Sequence, residues 1–145
     1  MSGYKKVLVA VDGSSCSEKA VGVAVNFCRL SNSELHAIFV ISDLVVENFK
    51  RLGKSQAKEV LESLKDEGRK YFRDVKDTAK DRDVKVVEAI REGFPADEIV
   101  TYAKKNKIDL IVMGTHGRRV GTRPLIGSTA DRVIHLAPCP ILIVP

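Results

Sequence analysis

The sequence predicts an α/β fold, a doubly wound five-stranded parallel sheet of Rossmann-like type with strand order 3-2-1-4-5. Short continuous apolar runs, each bounded by turn residues, alternate strictly with segments of helical periodicity along the 145 residues. Such runs are typical of strands buried on both faces. Because alternating strands and helices with right-handed crossovers form parallel sheets covered on both sides, other topologies are disfavoured. No repeat or linker interrupts the pattern, so we expect a single domain over residues 1–145.

Five apolar runs are predicted to be the strands, and four amphipathic segments the helices between them. The strand runs are Lys5–Val11, Leu35–Ile41, Val84–Ile90, Leu110–Met113 and Ile141–Val144. Residues recurring at i, i+3 and i+4 predict the helices, at about Ser17–Leu30, Gly53–Lys80, Ala96–Ala103 and Ser128–Leu136. Lys85 and Glu88 interrupt the third run, which we therefore expect near a sheet edge. The segment Ser42–Gly53 is longer than a usual strand-to-helix loop, and we interpret it as a lid or a partner contact.

Composition and charge exclude several classes of protein. The net charge of +5 is modest, and the chain has neither a basic stripe nor an aromatic platform for nucleic acid. Mixed charges across Lys54–Asp83 fit the solvated face of a long helix. No apolar run approaches the ~20 residues of a membrane span, and no signal segment opens the chain. Three cysteines at positions 16, 28 and 139 suit free thiols, so we expect a cytoplasmic protein.

Two glycine-rich segments are the candidates for a ligand site. In open α/β sheets, ligands bind beyond the carboxyl ends of the strands at the point where the winding reverses. With strand order 3-2-1-4-5, that switch point lies between strands one and four. The segments leaving these strands are Val11–Ser15 and Met113–Gly117, and their small residues allow a backbone to approach a ligand closely.

The second segment leads to a predicted anion-binding helix start. Ser128 and Asp131 form a capping-box pattern, and Gly127 before it would let an anion reach the N–H groups and positive dipole end of the helix. Three arginines in the intervening loop add positive charge, at positions 118, 119 and 123. Together these features predict a phosphate-binding cradle.

The spacing Gly114-x2-Gly117-x9-Gly127-Ser128 resembles the ATP-binding signature of the universal stress protein family. The resemblance covers the whole chain, from the opening Val-Ala-Val-Asp-Gly-Ser to the closing Pro-Cys-Pro-Ile-Leu-Ile-Val. It implies an ATP-binding stress-response or signalling module that hydrolyses ATP slowly at most. The loop containing Gly121, Arg123 and Pro124 departs from the family pattern, so its shape does not follow from the resemblance.

The resemblance also implies roles for individual residues. Asp12 would lie near the ribose and phosphates, Val40 would contact adenine through its main chain, and Gly114 and Gly117 would line the ribose and phosphate path. Gly127, Ser128 and Thr129 would hold phosphates, and Mg²⁺ would be carried mainly by the phosphates, with no protein metal ligands. The full set of expected contact residues is Ala10, Val11, Asp12, Gly13, Ser14, Val40, Met113, Gly114, His116, Gly117, Arg118, Gly127, Ser128 and Thr129.

Several alternatives stay open from the sequence. Asp12 either contacts the ligand or only forms a turn with Gly13, and His116 either donates to a phosphate or simply tolerates its loop conformation. A Walker-type phosphate loop and a clear catalytic base are missing from the sequence, so no catalytic residue is assigned. The other functions considered are a partner-binding protein with a vestigial nucleotide site and an enzyme related to the adenine-nucleotide α-hydrolases.

The last predicted strand suggests self-association. Ile141–Val144 is apolar on both faces, yet strand order 3-2-1-4-5 leaves it at the sheet edge, where such a strand is normally covered. Members of the family that the chain resembles cover this strand with the same strand of a second subunit. We therefore expect a homodimer joined through Ile141–Val144, with burial by neighbouring helices alone as the alternative.

Overall fold

The computed structural model describes residues 3–116 and 126–145, which form five parallel strands and five helices. The strands are β1 (Lys6–Ala10), β2 (Glu34–Ser42), β3 (Val86–Gly93), β4 (Leu110–Gly114) and β5 (Ile141–Val144). The helices are α1 (Ser15–Ser31), α2 (Asp43–Lys50), α3 (Lys54–Ala79), α4 (Pro95–Lys105) and α5 (Ser128–Leu136). Neighbouring strands follow the order β3-β2-β1-β4-β5, and the four pairings are parallel. The predicted doubly wound sheet is confirmed.

The sheet separates two hydrophobic cores. Successive side chains of a strand point to opposite faces. Val7 and Val9 therefore join the core beneath α1 and α3, whereas Leu8 joins the core beneath α4 and α5. All three side chains are completely buried, and burial of each such side chain contributes about 1.5–3 kcal/mol. This explains why the central strands read as unbroken apolar runs.

The helices present narrow apolar stripes to these cores. Ala20, Ala24 and Cys28 of α1 are buried one turn apart, as the 3.6-residue period requires. The longest helix, α3, buries Gly68, Phe72, Val75 and Ala79, and its remaining surface is densely charged. No helix in the two described ranges is long and apolar enough to cross a membrane.

The structure corrects two predicted boundaries and the interpretation of one segment. Helix α1 begins at Ser15 rather than Ser17, because the Ser14 hydroxyl accepts the backbone N–H of Ser17 and caps the helix. Strand β3 is shifted toward the carboxyl side of the predicted run, because it pairs residue by residue with β2 from Val86 through Gly93. The charged residues near its end are tolerated since β3 is an edge strand, as predicted.

The third correction concerns Ser42–Gly53, which is not a simple loop. Most of it folds as α2, with Asp43 in the first turn and Lys50 in the last, both favourable to the helix dipole. Helix α2 buries no residue completely, but Val46 packs against the core beneath α1 and α3. Leu44 remains 64% exposed.

Candidate functional site

The predicted switch point lies between β1 and β4. These strands are parallel neighbours, with Val7–Val9 paired to Leu110–Val112. After β1 the chain enters α1 on one face of the sheet, and β4 is followed in the described chain by α5 on the other face. The carboxyl ends of β1 and β4 therefore border a crevice at which the winding reverses.

On the β1 side, a network of hydrogen bonds fixes the turn that follows the strand. Asp12 Oδ1 accepts the backbone N–H of Ser14 at 2.9 Å, which is the turn-forming role that the sequence left open for this residue. The Asp12 backbone N–H in turn donates to Ser17 Oγ at 3.2 Å, and Ser17 Oγ donates to the Ala10 carbonyl at 3.4 Å. Thus one Asp12 oxygen and the capping hydroxyl of Ser14 are engaged within the turn.

Gly13 is required by a close contact with α3. Its φ of +82° lies in the left-handed region, which glycine adopts without strain. A Cβ at this position would lie 2.5 Å from the Tyr71 hydroxyl oxygen. The Tyr71 hydroxyl donates to Glu67, and the Tyr71 ring stacks edge-on against Phe39 with centroids 5.5 Å apart. Helix α3 therefore packs directly against the β1 turn.

On the β4 side, Gly114 allows α1 to approach the end of the strand. A Cβ on Gly114 would lie 2.6 Å from Cys16 Cβ and 2.9 Å from the Cys16 carbonyl carbon. The absence of a side chain at Gly114 is thus explained by packing within the protein. A ligand contact at Gly114 would have to use its backbone.

Thr115, the next residue, joins four parts of the fold. Its backbone N–H donates to the Val144 carbonyl of β5 at 3.0 Å, and its carbonyl accepts the Gly127 N–H at 2.6 Å. Its hydroxyl lies 3.8 Å from Cys16 Sγ and 3.1 Å from His116 Nδ1. Thr115 and Cys16 were not among the residues predicted from the sequence, although Thr115 lies within the glycine signature.

The predicted capping box at α5 is wrong. The N-cap is Gly127, and no side chain caps the helix. Gly127 has an extended conformation (φ −69°, ψ 163°) and is hydrogen-bonded to Thr115. The helix therefore has the predicted bounds, Ser128–Leu136, but Ser128 is its exposed first residue rather than its N-cap. A positive φ is therefore not the reason for glycine here, although a Cβ would lie 3.0 Å from the Thr115 carbonyl oxygen.

The start of α5 offers groups that suit an anion. The N–H groups of a helix's first turn have no partner within the helix, and the dipole is positive at that end. Half-buried Thr129 and exposed Ser128 lie in this turn. The Gly127–Thr115 hydrogen bond holds the turn beside the end of β4.

Three further predicted residues share one face of the sheet near its carboxyl edge. Ala10, Val40 and Met113 lie on the side of α4 and α5. Ala10 and Val40 are half-buried and Met113 is buried, so only the first two retain side-chain surface. Val11, by contrast, points into the other core.

Gly117 and Arg118 lie outside the described residues, as do Arg119, Gly121, Arg123 and Pro124. The structure therefore describes the cradle through its two ends, Gly114–His116 and Gly127–Thr129. Within the described ranges, no group of three or more His, Cys, Asp or Glu residues could hold a metal ion. A groove of about 470 Å³, lined partly by Lys76, Lys80 and Lys85, lies at the amino end of β3, away from the switch point.

The other two histidines lie away from the crevice. Buried His36 on β2 bridges two side chains, with Nδ1 2.6 Å from the Tyr102 hydroxyl and Nε2 2.6 Å from Glu34 Oε1. Partial burial would raise the pKa of Glu34, but hydrogen bonds with His36 and Lys85 outweigh it and lower that pKa. Burial raises the pKa of the Tyr102 hydroxyl. His135 Nδ1 lies 2.7 Å from the Asp131 carbonyl, one turn earlier in α5.

The cysteines are free thiols. Burial raises the pKa of Cys28 to about 12, and burial also raises the pKa of Cys139, helped by the charge of Asp109. These two thiols are therefore poor nucleophiles. Cys28 is a core residue, as predicted from its helical pattern.

Fold and site together define a doubly wound α/β protein with a crevice at its switch point, bordered by glycine-rich turns and a helix N-terminus. The family model described as the universal stress protein family matches residues 3–145. The chain belongs to the universal stress protein family.

Similar proteins agree with this assignment. The chain is 42% identical over 142 residues to universal stress protein MJ0531 of Methanocaldococcus jannaschii, covering 97% of this chain and 82% of the relative. The structure of MJ0577, a universal stress protein of the same organism, aligns with a TM-score of 0.85 at 29% identity, covering 97% of this chain and 95% of that one. A universal stress protein crystallised in complex with cAMP aligns with a TM-score of 0.70 at 26% identity, covering 99% and 98%.

Proposed function

We propose that this protein is an ATP-binding stress-response or signalling module that holds Mg-ATP at the switch point and hydrolyses it slowly at most. The observation that carries the proposal is the 2.6 Å hydrogen bond from the Gly127 N–H to the Thr115 carbonyl. It brings the start of α5 beside the end of β4, so the two described ends of the glycine signature meet at one place. The module would act in the cytoplasm.

In this proposal the triphosphate lies at the start of α5, against the backbone of Gly127 and the N–H groups of Ser128 and Thr129, because a helix N-terminus favours phosphate. The ribose lies by Asp12, whose turn already has a fixed conformation. Adenine lies over half-buried Ala10 and the main chain of Val40. The remaining expected contacts are Val11, Gly13, Ser14, Met113, Gly114, His116, Gly117 and Arg118.

Mg²⁺ would be carried by the phosphates rather than by a protein cage. Mg²⁺ often binds through one or two carboxylates together with substrate phosphates. Asp12 is the carboxylate at the β1 end of the crevice, and one of its oxygens accepts the Ser14 N–H. One carboxylate with an oxygen already engaged suits an ion that is carried by the phosphates. It suits nucleotide binding better than rapid phosphoryl transfer, because that reaction depends on several groups that hold metal and position water.

A related protein supports the choice of ligand class. The universal stress protein in complex with cAMP shares 26% identity with this chain over nearly its full length, and cAMP is an adenine nucleotide. One observation favours the second candidate, a partner-binding protein with a vestigial site. Gly114 is explained by its contact with Cys16, and Gly127 is favoured by its approach to the Thr115 carbonyl, so the presence of these glycines does not by itself demand a ligand.

Mass spectrometry of the natively purified protein, followed by thermal unfolding with Mg-ATP, separates these candidates. A ligand at ~100 times its Kd stabilises the folded state by about 2.7 kcal/mol, or several degrees in Tm for a domain of this size. GTP and NADH should give smaller shifts. A nucleotide-free protein whose Tm does not respond to millimolar Mg-ATP would establish the vestigial site instead.

We also propose a symmetric homodimer through β5. Leu142 is 37% exposed on this edge strand, and Ile134 and Leu136 of the preceding helix α5 are 41% and 44% exposed. An uncovered apolar edge invites pairing with another strand, and a two-fold axis would let β5 pair with itself. Leu142 alternates with Ile141 and Ile143, which pack on the side of α4 and α5, so its exposed side chain lies on the opposite face of this edge strand.

Light scattering at micromolar concentration tests the dimer. Ile143 packs against the core beneath α4 and α5, so Ile143→Lys combines an interface change with a folding defect. Leu142→Lys is the cleaner variant because its side chain is more exposed. We expect a native dimer and a folded Leu142→Lys monomer. A native monomer, or a variant dimer of unchanged affinity, would exclude this interface.

A further inference from the structure

The hydroxyl of Thr115 connects two side chains at the switch point. Thr115 Oγ1 lies 3.1 Å from His116 Nδ1 and 3.8 Å from Cys16 Sγ. The three residues come from the end of β4 and the first turn of α1, and the close packing of Gly114 against Cys16 holds these segments together. The result is a row of thiol, hydroxyl and imidazole.

The strengths of the acceptors favour one placement of the protons in this row. A threonine hydroxyl has one proton to donate, and an imidazole nitrogen is a stronger acceptor than a thiol sulfur, which is weak. The arrangement that uses the stronger acceptor has Thr115 donating to His116 Nδ1 and the Cys16 thiol donating weakly to Thr115 Oγ1. An imidazole that accepts at Nδ1 carries its proton on Nε2 when it is neutral.

We infer that Thr115 is a positioning residue that holds His116 in the Nε2–H tautomer. The orientation of the ring gives this tautomer a consequence at the site. A Cβ on Gly127 would lie 3.7 Å from His116 Cδ2, and Cδ2 is bonded to Nε2. The ring edge that contains Cδ2, the carbon next to Nε2, is thus beside the start of α5.

This inference rests on the proposed function for its effect on binding. If phosphates lie at the start of α5, an Nε2–H at this edge is a donor to them. The opposite tautomer would present an unprotonated nitrogen with a lone pair, which repels a phosphate oxygen. Thr115 then contributes to phosphate affinity through His116, without touching the nucleotide.

Two variants isolate the hydroxyl. Thr115→Val keeps the branched shape and removes the hydroxyl, whereas Thr115→Ser keeps the hydroxyl and serves as the matched control. Two-bond ¹H–¹⁵N correlation spectra, recorded where imidazoles are neutral, report which nitrogen of His116 carries the proton. The spectrum of His116→Gln lacks only the signals of His116, so the resonances that remain belong to His36 and His135. Kd values for Mg-ATP and for adenosine are measured on the same samples.

We expect the Nε2–H tautomer in the native protein and in Thr115→Ser, and a mixture of tautomers in Thr115→Val. The Kd for Mg-ATP should rise about three- to tenfold in Thr115→Val, as for loss of one hydrogen bond, while adenosine affinity stays within about twofold. An Nδ1–H tautomer in the native protein, or an unchanged tautomer in Thr115→Val, would overturn the inference. If the native protein binds no ATP, the proposed function fails and the tautomer spectra alone decide the role of Thr115.

Discussion

A single methyl group on Gly114 should destabilise the fold by forcing α1 and β4 apart. The Cβ of Gly114→Ala would lie 2.6 Å from Cys16 Cβ and 2.9 Å from the Cys16 carbonyl carbon. Carbon atoms in favourable contact are about 3.5–4.0 Å apart, so the overlap is roughly 1 Å. One of the two neighbours is backbone, which means that rotation of a side chain cannot relieve it.

The expected size of the effect follows from two opposing contributions. Overpacking of this kind costs about 1–3 kcal/mol, and alanine recovers about 0.4–1 kcal/mol by restricting the unfolded chain. We expect a net loss of about 1–2 kcal/mol, which lowers Tm by roughly 3–8 °C in a domain of this size. Urea unfolding followed by circular dichroism measures the free energy directly.

Gly22 provides the matched control for this measurement. It lies on the exposed side of α1, and a Cβ there would have nothing within 4 Å. Gly22→Ala should therefore stabilise the protein by about 0.5–1 kcal/mol. If Gly114→Ala proved as stable as Gly22→Ala, the tight approach of α1 to β4 would be refuted.

Three further outcomes are expected. Gly127→Val should fold, because the φ of −69° at this position suits any residue. The added Cβ pushes the start of α5 away from Thr115 and should weaken Mg-ATP binding at least ~10-fold, or about 1.4 kcal/mol. An unchanged affinity in calorimetry would show that the phosphates bind elsewhere. Asp12→Ala should weaken the same binding by a smaller factor, and an equal or larger loss would give Asp12 the leading role. The lowered pKa of Glu34 means that its ionised form stabilises the fold above the ordinary glutamate pKa, and that this stabilisation is lost as pH falls through the lowered value. Between pH 7 and acid, the free energy of unfolding measured with urea should therefore decrease less for Glu34→Gln than for the native protein. Equal decreases in the two proteins would contradict this.

The sheet was predictable because its strands are selected by burial on both faces. Apolar runs such as those around Leu8 and Ile111 can be assigned as strands without knowing their neighbours, because a strand at the centre of a covered sheet must be apolar throughout. The extent of β3 was less predictable, because its last residues are defined by pairing with β2 through Gly93. Arg91 and Glu92 carry no apolar signal of their own.

The features that the sequence did not predict depend on contacts between distant residues. Helix α2 has no fully buried residue, so its apolar positions did not stand out as a core stripe. The capping box failed because the Thr115 carbonyl bonds Gly127 and makes it the N-cap. Thr115 itself was missed because its role involves Cys16, which is 99 residues away in the sequence.

The turn after β1 has a consequence for the thermodynamics of binding. Its conformation is held by hydrogen bonds among Ala10, Asp12, Ser14 and Ser17, and by the packing of Tyr71 against Gly13. A ligand that binds against this turn immobilises little additional chain, so the conformational entropy of the turn is lost during folding rather than on association. Any ligand-linked ordering in this protein must therefore come from elements other than the β1 turn.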